Sequence, residues 1–74
     1  MSNQTIRAPM ACTVVEVTVA AGQAVQAGQT LLVLEAMKME HALVAPFDGM
    51  VAELNVEAGV QVAVEAVLAR VEPL

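Results

Sequence analysis

The sequence predicts an all-β chain: two four-stranded antiparallel sheets, flattened against each other as a β-barrel or sandwich with internal pseudo-twofold symmetry. Three observations predict it. The sequence aligns with itself at an offset of 37 residues. Each copy holds β-branched runs with a period of two. Turn residues recur every few positions among dense β-branched runs, which leaves no uninterrupted window for a stable helix.

The repeat needs no gap. Ala8-Pro9 falls on Ala45-Pro46, Val14 on Val51, Glu16 on Glu53 and Val19 on Val56. Ala21-Gly22 falls on Ala58-Gly59, Val25 on Val62, Leu31 on Leu68 and Glu35 on Glu72. Ten identities in the 28 pairs from Ala8 to Glu35 mark a duplicated supersecondary unit. One domain is expected over residues 1–74, with halves at about 6–36 and 43–73 joined by a hairpin over 36–41.

In each half, Pro9 or Pro46 precedes the first strand, where a missing N–H is tolerated. Val15, Val17 and Val19 then alternate with Glu16 and Thr18, as Ala52, Leu54 and Val56 alternate with Glu53 and Asn55. That is the pattern of a half-buried strand. Ala-Gly follows and marks a turn, since Gly takes positive φ without penalty. A further strand is expected over Leu31–Glu35 and Leu68–Glu72. The connection Ala36-Met37-Lys38-Met39-Glu40-His41 lies between the copies and has no counterpart. It should form a tight hairpin at one end, with Lys38 at the tip and the termini at the other end.

The 74 residues give room for a modest core and no deep pocket, which argues against a self-contained enzyme. The core must be aliphatic, because Phe47 is the only aromatic residue. A net charge of −5, with only Arg7, Lys38 and Arg70 as bases, argues against a nucleic-acid surface. Cys12 is the only cysteine, so nothing points to an oxidising compartment, and a cytoplasmic protein is expected. No apolar stretch reaches transmembrane length. His41 lacks neighbours of ligand type, so no metal site is expected, and it reads as a solvated strand residue.

Lys38 is the only lysine in the chain. A primary ammonium at neutral pH is a poor nucleophile, so any acylation here needs a modifying enzyme to supply the base and the activated acyl donor. The task of the turn is presentation. Met37 and Met39 would be wasteful at an exposed tip without a reader, and Met suits adaptable recognition surfaces.

Ala36-Met37-Lys38-Met39 resembles the attachment motif of the biotinyl (biotin carboxyl carrier) domains of the biotin/lipoyl attachment family. The resemblance extends to Ala8-Pro9-Met10, Ala21-Gly22, Ala27-Gly28 and Ala45-Pro46-Phe47-Asp48-Gly49. It implies the barrel-sandwich hybrid fold, with biotin joined covalently to Lys38 by a biotin protein ligase through a biotinyl adenylate. It also implies a non-catalytic carrier in a biotin-dependent acyl-CoA carboxylase. Carboxybiotin would travel from a biotin carboxylase, which uses ATP and bicarbonate, to a carboxyltransferase. Ala36, Met37 and Met39 would form the recognition motif, with Glu35 and Glu40 as further candidates. A structural role explains Glu35 equally well, because it pairs with Glu72 in the repeat.

Segments Val19–Leu31 and Val56–Leu68 have equal length, so no thumb is inserted in the first copy and a freer biotin arm is expected. No intrinsic oligomer and no membrane partner are expected. A lipoyl or dual carrier is the alternative, although lipoyl domains typically place Asp before the lysine and Ala after it. A cofactor-free interaction domain is the third reading. Cys12 departs from the family, which usually has Gly there. If the site needs positive φ, a side chain would cost of order 1 kcal/mol.

Overall fold

The computed structural model describes residues 3–74. Its eight strands are β1 (Gln4–Arg7), β2 (Cys12–Val17), β3 (Ala24–Val25), β4 (Thr30–Ala36), β5 (Met39–Val44), β6 (Gly49–Leu54), β7 (Gln61–Val62) and β8 (Val67–Pro73). One sheet has the order β1-β8-β6-β3 and the other β5-β4-β2-β7. All pairings are antiparallel.

The duplicated sequence becomes duplicated structure. Shifting β2, β3 and β4 by 37 residues gives the bounds of β6, β7 and β8. The same shift turns one sheet order into the other. Each half sends its two-residue strand into the sheet dominated by its partner, so the halves interlock. Turn hydrogen bonds repeat as well. Gly22 N–H donates to Val51 O at 2.7 Å, and Gly59 N–H to Val14 O at 2.7 Å. No strand or helix is inserted between β2 and β3 among the described residues.

The alternation expected in the first strand needs one correction. Val15 is 37% exposed, while its neighbour Val14 is fully buried. A β-bulge causes this: Val14 pairs with Leu34 and Glu16 with Val33, so Val15 opposes no residue. The extra residue changes the phase of the strand. Cys12 and Val14 face inward before it, and Val19 is buried beyond it. Ala52 is skipped in the same way in the second half.

A second pair of bulges skips Leu31 and Leu68. Each lets two consecutive side chains bury, Leu31 with Leu32 and Leu68 with Ala69. These residues, with Leu34, Val14, Val51 and Val71, form an aliphatic core, and Phe47 packs half-buried at its margin. Burying each large aliphatic side chain contributes about 1.5–3 kcal/mol.

The particle is 34 Å long and 16–18 Å across. The β4–β5 hairpin and the C-terminus lie at opposite ends. Strand β2 leads away from the hairpin, and Val25 finishes beside Gly49, which pairs with Pro73.

Candidate functional site

The site is the connection between β4 and β5. Six register pairs hold the two strands together, ending at Leu34↔His41, Glu35↔Glu40 and Ala36↔Met39. Between Ala36 and Met39, Met37 and Lys38 remain outside the ladder. Their φ values are +53° and +64°. A two-residue hairpin loop with both φ values positive is a type I′ turn, which matches the twist of the flanking strands. Asn-Gly normally fills it. Here two residues with long side chains occupy left-handed positions, at a cost of roughly 1 kcal/mol each. The ladder and the core beneath it offset that strain.

The turn therefore presents what the sequence placed in it. Met37 is 88% exposed and Met39 62%. Lys38 is exposed and forms no salt bridge among the described residues. Its amine is thus open to an enzyme and held by no carboxylate, which fits covalent acylation at Nζ. Ala36 is buried and anchors the base of the hairpin in the core. Glu35 and Glu40 stand directly opposite each other and are exposed. Two like charges in a cross-strand pair disfavour the hairpin slightly. All six residues singled out from the sequence, Glu35 to Glu40, thus form one contiguous tip.

His41 corrects its sequence reading. It is half-buried rather than fully solvated, because it lies opposite the buried Leu34 and shares its face of the sheet.

Cys12 settles its own question. Neither it nor Gly49 has positive φ, so its backbone accommodates a side chain without that strain. The two positions still differ. A Cβ on Gly49 would collide with the backbone carbonyl of Glu72. Gly49 consequently pairs closely with Pro73, whereas the equivalent pair of Cys12 with Ala36 is missing and that ladder begins at Thr13↔Glu35. The Cys12 side chain coincides with a ladder one pair shorter at the foot of the hairpin. Thr13 and Gln61 border the same spot, and nothing in the sequence singled them out.

Comparison with known proteins decides the family. A family model described as biotin-requiring enzyme, covering biotin and lipoyl attachment, matches residues 4–71. The chain belongs to this biotin/lipoyl carrier family. The carrier domain is 46% identical over 71 residues to the biotin-dependent acyl-coenzyme A carboxylase alpha3 subunit of Mycobacterium leprae, covering 96% of this chain and 12% of that protein. It is 51% identical over 55 residues to the biotin carboxyl carrier protein of acetyl-CoA carboxylase from Solanum lycopersicum, covering 74% of this chain and 79% of that one. A solved single-chain, multi-domain long-chain acyl-CoA carboxylase contains the same fold, with a TM-score of 0.89 and 38% identity over 97% of this chain and 7% of the larger one. The carrier domain therefore spans a small part of its large multidomain relatives. These relatives favour biotin over lipoate as its cofactor.

Proposed function

We propose that Lys38 is the attachment point for biotin, and that the chain is the non-catalytic carrier of a biotin-dependent acyl-CoA carboxylase. One observation carries the assignment: the sole lysine of the chain is the exposed second residue of a type I′ turn, at the end of the molecule away from the C-terminus. A biotin protein ligase reads the exposed Met37 and Met39, with Glu35 and Glu40 at the rim, while the Ala36 of the motif is buried and seats the hairpin beneath them. Lys38 Nζ attacks the carbonyl of biotinyl adenylate, an amide forms, and AMP leaves. When bound, biotin supplies a ring nitrogen that accepts a carboxyl group at a biotin carboxylase and releases it at a carboxyltransferase.

The chain's own residues do the rest. The β4–β5 ladder fixes the direction of the tether. The strained turn holds Nζ clear of the sheet. Tethering raises the effective concentration of the carried group at two separate active sites. Bond-making is assigned to the partner enzymes, in keeping with a relative named as a biotin carboxyl carrier protein.

The test is carboxyl loading. The biotinylated chain is incubated with a biotin carboxylase, ATP and labelled bicarbonate, and acid-labile label on the chain is counted. The expected result is up to one label per chain, absent in Lys38→Arg. Label retained by Lys38→Arg would overturn the assignment of the site.

A further inference from the structure

A hollow of about 410 Å³ lies at the foot of the hairpin, bordered by Cys12, Thr13, Glu35, Ala36, Met37 and Gln61. The pseudo-twofold axis generates a second hollow, also about 410 Å³, at the opposite end. There Asp48 stands for Ala11, Ala24 for Gln61 and Leu74 for Met37. Two copies of one fold make two copies of one dent, so the dents alone mean nothing. Their difference is informative.

At the far end, internal bonds engage two of the three polar side chains, those of Asp48 and Gln29 but not that of Gln26. Asp48 Oδ1 accepts from Ala27 N–H at 2.8 Å, and Gln29 Oε1 accepts from Gln26 N–H at 3.0 Å. At the hairpin end, the side chains of Thr13, Glu35 and Gln61 make no hydrogen bond among the described residues. This is also where the ladder is one pair shorter, beside Cys12. One hollow has two of its three polar side chains engaged internally and is remote. The other has free donors and acceptors and borders Met37, the residue next to Lys38.

We infer that the hairpin-side hollow is a resting site for the bicyclic ring of biotin carried on Lys38, an inference that rests on the attachment proposed above. The chemistry matches. The ureido group of biotin has two N–H donors and one carbonyl acceptor. A carboxylate accepts, while a carboxamide and a hydroxyl both donate and accept, which describes Glu35, Gln61 and Thr13. The sulfur-containing ring is apolar and suits Ala36, Cys12 and the soft side chain of Met37. The hollow is shallow and open, so the contact is weak and readily reversed. A short flexible tether supplies an effective concentration on the order of millimolar, so even a site with a millimolar Kd is about half filled. The carrier would then hold its ring against itself between visits to partners, without an inserted thumb.

Amide NMR spectra test this on the intact chain in two forms, with biotin on Lys38 or with a linear pentanoyl group on Lys38. The second keeps the amide link and lacks the ring. Mass spectrometry first confirms each modification. Failure of the ligase to attach biotin would remove the attachment reading, and this inference with it. With biotin attached, the inference expects shifts at Thr13, Gln61 and Cys12 that the pentanoyl form lacks. A Thr13→Val/Gln61→Ala variant should remain biotinylated yet lose the shift at Cys12. Differences confined to residues 36–40 would overturn it. So would shifts in the hollow that appear only after a partner enzyme is added, because the occupant would then be the partner.

Discussion

Glu65 occupies the backbone position that Gly28 holds 37 residues earlier, and both are left-handed, with φ of +68° and +84°. Their surroundings correspond too: Glu65 N–H donates to Ala8 O at 2.8 Å, as Gly28 N–H donates to Ala45 O at 2.8 Å. The fold demands positive φ at this turn in both halves. The first half meets the demand with Gly, and the second accepts strain.

Glu65→Gly should therefore stabilise the fold. Relief of a left-handed side chain is worth about 1–2 kcal/mol, and the added freedom of the unfolded chain removes about 0.5–1 of that. A net gain of up to about 1 kcal/mol would raise Tm by several degrees in a domain of this size. Thermal unfolding followed by circular dichroism reads it directly. Gly28→Ala should shift Tm in the opposite direction.

Gly49 and Cys12 make a matched pair of tests. Gly49→Ala places a Cβ against the Glu72 carbonyl. A backbone atom cannot swing aside, so a cost of about 1–3 kcal/mol is expected. Cys12→Ala removes only a buried thiol and should cost about 1 kcal/mol or less. Urea midpoints measured side by side should rank Gly49→Ala as the more damaging change.

Leu31 and Leu68 are related by the repeat, sit at equivalent bulges and are both fully buried. Either change to Ala should cost about 2–5 kcal/mol. That is a large fraction of the total stability expected for a small domain. Chemical denaturation should show comparable losses for the two, and a near-neutral result at either position would contradict the symmetric core.

Met37 separates stability from recognition. Met37→Asn puts a residue suited to positive φ into the type I′ turn and should raise stability by up to about 1 kcal/mol. If the ligase buries this exposed side chain, its loss removes on the order of 1.5 kcal/mol of binding. That corresponds to roughly a tenfold drop in kcat/KM for biotinylation. A more stable chain that is modified more slowly is the expected outcome. Unchanged kinetics would assign Met37 no role in recognition.

The larger features were legible because duplication amplifies them. A single Ala-Gly turn is weak evidence, but the same turn at a fixed spacing in two copies is strong. The candidate attachment motif stands out in the sequence because its four residues, Ala36 to Met39, are consecutive. Other features had no local signal. Strands β3 and β7 are two residues long, too short for a period to appear. The bulge at Val15 arises from pairing with β4, so alternation alone placed that side chain inside. The left-handed backbone at Met37 and Lys38 is imposed by the hairpin and contradicts the preference of both residues. The hollow depends on Thr13 and Gln61 meeting across β2 and β7, which sequence order conceals.

The central claim is that Lys38 carries biotin, and intact mass tests it most directly. The wild-type chain and Lys38→Arg would be co-expressed with a biotin protein ligase and excess biotin, purified and weighed. The expected result is a gain of one biotinyl group in the wild type and none in the variant. A folded wild-type chain that gains nothing, beside a ligase active on another acceptor, would contradict it.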